Sequence, residues 1–353
     1  MDYGRVVSRT LSHGTTCASY FTTIHVPATN YMASLGHSRG QRALIGRPCM
    51  DRENICPDDY RDESPAETIA ATKATIEHIH SIDPEGEIVK PIITPRFAPS
   101  CTSHALAELG NLAAVHDPPL HIQTHIAENE DEVSLVKDIF PSSTSYADVY
   151  DKANLLTPRT ILAHGIYLSQ SERELIQVRQ AKISHCPVSN SSLGSGICPV
   201  RLLLDSGITV GLGTDVSGGY SPSILEAVRH ACLVSRLLRH TTIGKDKEYQ
   251  TTPAGRETLS VEEGLYLATR GGAAVVDMAD EIGGFDIGMS WDAQLIELGA
   301  VHHDTPGCAG AVGNVDIFDW EDQTEKVHKW VWNGDDRNVR MVWVRGRLVH
   351  ERC

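Results

Sequence analysis

Short apolar runs alternate with longer amphipathic stretches along the chain, and each short run stops at Gly, Pro or Asp. The runs are TTCASYF (Thr15 to Phe21), RALIGRPCM (Arg42 to Met50), IVKPIITPRF (Ile88 to Phe97) and LHIQTHI (Leu120 to Ile126). They continue with TILAHG (Thr160 to Gly165), KISHCP (Lys182 to Pro187) and TVGLGTD (Thr209 to Asp215). Their length and branched or apolar content predict β-strands. The intervening stretches ESPAETIAATKATIEHIHSI, SCTSHALAELGNLAAVH, SQSERELIQVRQ and SPSILEAVRHACLVSRLLRH carry apolar residues at helical spacing, and the first opens on an acidic turn. MDYGRVVSRT reads like the end of a helix.

Strand followed by helix, repeated this often, predicts a parallel sheet. At this length the expected fold class is α/β, a (β/α)8 TIM-type barrel over residues 1–280. Seven strands are readable where a closed barrel needs eight, so the barrel is expected to lack its first strand. Residues 241–259 read as a polar loop, followed by a helix over SVEEGLYLATRGGAAVV. Residues 281–353 are expected to form a C-terminal β segment, part of a composite β-sandwich. In it, KVHKWVWNGDDRNVRMVWVRGRLVHE reads as strands with turns at Asn333 to Asp336 and at Gly346.

Charge and cysteines narrow the class. The formal charge of −15 disfavours nucleic acid and anionic membranes as partners. Nine scattered cysteines without a C-x-x-C read as reduced thiols in a cytoplasmic protein. No run approaches the apolar length of a membrane span, and the N-terminus lacks the apolar stretch of a signal peptide.

In such barrels the reactive groups sit at the C-terminal ends of the strands. His125, His164 and His185 close three consecutive runs, and Asp215 closes the next. His121 and His125 stand four apart, the spacing of a helical zinc pair, but PPLHIQTHIAE has strand content and no capping residue. In a strand, His121, Gln123 and His125 share one face spanning about 13 Å, and only His125 reaches the rim. Glu128 follows on the loop above that rim. Neutral imidazoles with a carboxylate suit a catalytic zinc, and a nearby carboxylate suits proton transfer. Singly, each residue has a plainer explanation: a satisfied core histidine, or an aspartate capping the next helix. For Arg96 and Phe97 it is an ion-paired strand end and a core ring. Together at one rim, five such coincidences would have to align.

The motifs LSHGTT, KPIITPRF, HIQTHIAEN, YDKANLL, AHGIYLS, HCPVSNSSLGSG, GLGTDVSGGYS and GDDRN resemble the amidohydrolase superfamily, in its metal-dependent aminohydrolase branch. TPRF with GTDVSGGYS is similar to the guanine deaminases in particular. The resemblance implies one zinc per subunit, with His125 and Asp215 as ligands and His164 beside or on the metal. It implies that Glu128 bonds the purine ring and relays protons, that Asp215 also takes a proton from the water, and that Arg96 and Phe97 hold the base. His185 would be a supporting residue. The reaction implied is hydrolytic deamination of guanine at C2 to xanthine and ammonia, in a homodimer.

The family also carries a His-x-His metal pair at the end of its first barrel strand, and none precedes Thr10. His78 and His80 lie in a helical run, where a spacing of two points the rings to opposite faces. His25 is a single residue that could approach the rim, and His302 and His303 read as solvent-facing tail. The expectation is that the family's N-terminal segment is absent, that zinc is weakly held and that this chain alone has little activity. The alternatives are a related zinc aminohydrolase acting on another heterocycle and a non-catalytic barrel fragment. The cytidine-deaminase fold is excluded, since HCPVSN has no second cysteine at P-C-x-x-C spacing.

Overall fold

A computed structural model of the protein describes residues 2–241, 253, 255–300 and 314–352. After the helix α1 (Asp2–Ser12), β1 (Cys17–Phe21), β2 (Arg42–Gly46) and β3 (Pro48–Cys49) precede β4 (Val89–Pro95). β5 (His121–Ile126), β6 (Thr160–His164), β7 (Lys182–His185) and β8 (Val210–Leu212) follow. All pair in parallel in the order β1-β2-β4-β5-β6-β7-β8, with β3 extending the β2 edge onto β4. β1 and β8 do not pair with each other, so among the described residues the sheet is an arc of a barrel, open on one side.

The strands bury both faces. On β5, Ile122 and Ile126 point outward into the core shared with the helices, which also holds Leu106, Leu109, Tyr150 and Leu162. Gln123 and His125 point into the barrel interior. Lower in that interior Leu44, Ile92, Ile161 and Val275 close the lumen. Above them the Gln123 amide bridges strands that are not neighbours. Its Oε1 accepts the Ser19 hydroxyl at 2.6 Å, and its Nε2 donates to the Tyr20 carbonyl and to Thr94 Oγ1, both at 3.0 Å. Gly46 makes room for this strut, since a Cβ there would sit 1.8 Å from Thr94 Oγ1 and 2.9 Å from Gln123 Nε2.

The sheet-covering helices include α2 (Val26–Arg39), α3 (Pro65–Ile82), α4 (Ser103–Ala114), α5 (Glu130–Ile139), α6 (Tyr146–Lys152), α7 (Gln170–Val178) and α10 (Ile224–Leu237). Two short ones, α8 (Pro187–Ser192) and α9 (Val200–Asp205), lie between β7 and β8. α2, α5, α6, α8 and α9 fall outside the helices read from the pattern. α5 carries the signal, with Asn129 capping Glu132 N–H and three acidic residues in its first turn.

A small antiparallel sheet follows, ordered β13-β12-β9, from β9 (Ala293–Ile296), β12 (Val339–Val344) and β13 (Arg347–Glu351). β10 (Gly299–Ala300) pairs with β11 (Asp316–Ile317). The segment KVHKWVWN is not a strand: Gln323–Asn333 is helical, which corrects the sequence expectation. Asp322 accepts from Glu325 N–H and the Glu325 carboxylate accepts from Asp322 N–H. This reciprocal cap and the burial of Val331 override the strand-like aromatic and branched content of Trp330 to Trp332. Arg42 binds both oxygens of Asp292 at 2.9 and 3.2 Å in a buried ion pair, tying β2 to the C-terminal sheet. The loop expected at 241–259 falls largely outside the described residues, as do His302 and His303.

Candidate active site at the strand ends

Three elements bring the predicted donors together. His125 ends β5, His164 ends β6 and Asp215 follows β8; one ligand atom from each lies within 4.8 Å of the others. His164 and Asp215 take left-handed backbone, with φ of 74° and 45°, which turns both side chains off the strand direction at the rim. Glu128 stands on the loop after β5, its Oε2 3.6 Å from His164 Nε2. His164 Nε2 is 3.9 Å from Asp215 Oδ2.

Hydrogen bonds orient the imidazoles. His125 Nδ1 donates to the Arg96 carbonyl at 2.5 Å, leaving Nε2 with its lone pair free. Burial, then the neighbouring His164, lowers the His125 pKa to about 4, so the ring is neutral. His164 Nδ1 donates to Asn190 Oδ1 at 2.8 Å. Its Nε2 is buried without a hydrogen-bond partner, aimed at the carboxylates. Ser189 donates to Asp215 Oδ2 at 2.6 Å, and Ser195 to Glu128 Oε1 at 2.9 Å. Two imidazole nitrogens and a carboxylate oxygen, one nitrogen an orphaned buried atom, fit a first-row divalent cation such as zinc.

Arg96 and Phe97 leave β4 on the same rim, joined to β5 by the backbone pairing of Phe97 with His125. The Arg96 guanidinium is exposed, 5.4 Å over the half-buried Phe97 ring. The Phe21 ring packs 4.5 Å from His125 on the other side. A cavity of about 730 Å³ runs between β1 and β8 and reaches Phe21, His125, Gly213 and Asp215. It is roomy enough for a heterocycle.

His185 does not join the donor group. It is buried at the end of β7 with both ring nitrogens unpartnered, its pKa pushed down to about 3 by burial and then by His164. His25 is exposed and packs on Tyr60, away from the donor group. His78 bonds Ser34 on α2 and His80 packs on His116, which keeps both on the outer helix layer. His121 lies at the opposite end of β5, its Nε2 2.9 Å from Asp277 and its Nδ1 accepting from Arg159 at 3.2 Å.

Sequence reasoning passed over Phe21, Ser189, Asn190 and Ser195. The last three share the segment after β7, and the readable signal was its run of small polar residues and glycines, VSNSSLGSG.

Residues 2–349 match the amidohydrolase family. The chain is 51% identical over 98% of its length to the probable guanine deaminase of Schizosaccharomyces pombe, and spans 62% of that relative. It is 42% identical over 98% of its length to the guanine deaminase of Homo sapiens, spanning 71% of it. The crystal structure of guanine deaminase from C. acetobutylicum, with guanine in its active site, superposes with a TM-score of 0.82 at 32% identity, covering 99% of this chain and 75% of that one.

Proposed function

The chain belongs to the amidohydrolase family, and from that premise we propose that its strand-end site serves the hydrolytic deamination of guanine to xanthine and ammonia. The observation that carries this reading is the meeting of His125, His164 and Asp215 with the Glu128 carboxylate beside them, where His125 and Asp215 line a cavity roomy enough for a heterocycle. The relatives and the guanine-bound neighbour support guanine as the substrate. Scattered cysteines without a C-x-x-C support a cytosolic protein, and the family resemblance supports a homodimer.

His125, Asp215 and His164 would hold zinc. When bound, such an ion acidifies water and supplies a nucleophile near neutral pH. The remaining work falls to the side chains. The His125 and His164 rings keep their free nitrogens toward the centre because their Nδ1 protons are engaged by Arg96 and Asn190. Asp215 takes the proton the attacking water loses as its oxygen adds to C2 of guanine. Glu128 receives that proton from Asp215 and delivers it to the adjacent ring nitrogen N3. The second water proton then passes to the amino group, the C2–N bond breaks and ammonia leaves. N3 and ammonia between them hold both protons of the water, so the reaction balances. Arg96 faces the purine carbonyl oxygen and Phe97 packs on the ring, which favours guanine over bases lacking that oxygen.

Ammonia release from guanine, adenine, cytosine and melamine tests the reading on the purified chain. The turnover expected is low, with guanine preferred over the other three. Glu128→Gln is expected to keep zinc while losing about 10²- to 10⁴-fold in rate, and Asp215→Asn to lose both metal and rate. Preferential turnover of another base, or full activity in Glu128→Gln, would sink it.

A further inference from the structure

Glu128 is held from two directions. Its backbone N–H donates to Glu132 Oε2 at 2.9 Å, and Glu132 Oε1 accepts the Tyr146 hydroxyl at 2.6 Å. Those contacts place the main chain and leave the carboxylate free to rotate. What stops that rotation comes from a different part of the chain. The buried Ser195 donates its hydroxyl to Glu128 Oε1 at 2.9 Å, and the other oxygen, Oε2, is left 3.6 Å from His164 Nε2.

Ser195 is itself fixed. Its N–H donates to the Asn190 carbonyl at 2.8 Å, and its carbonyl accepts the Tyr167 hydroxyl at 2.7 Å. Gly194 and Gly196 on either side have φ of 70° and 142°, which side-chain-bearing residues rarely adopt. A Cβ on Gly196 would also stand 2.5 Å from Tyr167 Oη. The glycines thus let the loop turn tightly enough for one serine hydroxyl to face inward. A closed circuit results: His164 to the Asn190 side chain, Asn190 carbonyl to Ser195 N–H, Ser195 hydroxyl to Glu128, and Glu128 back to His164.

We propose that Ser195 is a positioning residue for Glu128: its hydroxyl occupies one carboxylate oxygen and so dedicates the other to the reacting centre. This rests on the reading of Glu128 as the proton carrier. A bare structural filler would serve as well without its hydroxyl, whereas a positioning donor would not. Ser195 touches none of the three proposed zinc ligands, so the loss should fall on turnover and not on metal content.

The test compares the unaltered chain with Ser195→Ala and Ser195→Thr for guanine turnover, zinc content and crystal structure. Misplacing a reacting group by about an ångström costs roughly a hundredfold, so Ser195→Ala should lose about 10- to 100-fold in kcat with KM changed less than about threefold. Zinc content should be unchanged. Ser195→Thr, which keeps the hydroxyl, should recover most of the loss. Crystals of Ser195→Ala should show the Glu128 carboxylate rotated away from His164. Unchanged kcat in Ser195→Ala, or a Glu128 carboxylate still in place, overturns the proposal. If the wild-type chain releases no ammonia from guanine, the deaminase reading falls, and the Glu128 orientation in the alanine variant decides this inference on its own.

Discussion

Asn190 shows how much of the site depends on a side chain that touches no substrate. An imidazole presents a lone pair at Nε2 only if its proton sits on Nδ1, and Asn190 Oδ1 accepts from that Nδ1 of His164. Asn190→Ala should therefore weaken zinc binding by about 10- to 100-fold, as losing an outer hydrogen bond to a ligand histidine commonly does. Competition with a chromophoric chelator measures it, and an affinity within error of wild type would show that packing alone sets the ring. His125, His164 and Asp215 could be picked out along the chain because each stands where an apolar run breaks. Ser189, Asn190 and Ser195 could not. They follow one strand yet serve residues delivered by three others, and only the fold closes those distances.

Among the elements, β5 carries chemistry at both ends. Its upper end supplies His125, and its lower end sets His121 against Asp277, with Lys182 on the same carboxylate. Arginine can only donate, so Arg159 fixes His121 Nδ1 as an acceptor and Nε2–H as the donor to Asp277. Burial, opposed by Asp277 and aided by Arg159, lowers the His121 pKa. Hydrogen bonds from His121 and Lys182 outweigh burial and lower that of Asp277. Both shifts act in one direction. Below about pH 6.5 the unfolded chain protonates His121 before the folded one does, and below about pH 4 it protonates Asp277 first. The stability this cluster contributes is therefore lost progressively on acidification. Urea midpoints measured from pH 7.5 to 4.5 should fall, and should fall less steeply in His121→Gln; parallel slopes would exonerate the cluster. The strands were recognisable because each is bounded by a chain-breaking residue. The helix Gln323–Asn333 was misread because its Trp330-Val331-Trp332 run has the aromatic and branched content of a strand, while the reciprocal cap that decides it lies just upstream, at Asp322 and Glu325.

On the scale of the whole molecule, the open side of the sheet dominates. The cavity between β1 and β8 is continuous with the candidate site, so ligand binding and the stability of the arc should be linked. Zinc that binds the folded chain and not the unfolded one adds about 2.7 kcal/mol at a free concentration a hundredfold above its Kd. That corresponds to a rise of several degrees in Tm for a domain of this size. Scanning calorimetry with zinc, then with a chelator, should show a reversible rise and fall at about one ion per chain; no shift would mean that the three donors do not hold the metal in the folded state.

The order of the barrel strands, four of the covering helices and the residue types at the rim were readable from the linear pattern, and the family from its motifs. Each is encoded locally, in where apolar runs start and stop and in which side chain stands at the break. The tertiary structure alone decided that Asn190, Ser189 and Ser195 orient three separate site residues, that Gln123 bridges the lumen, and that His121 meets Asp277. Those outcomes depend on through-space distances of a few ångströms between strands far apart in the chain. Hydrogen bonds and coordination act only at such distances, and no periodicity along the sequence records them.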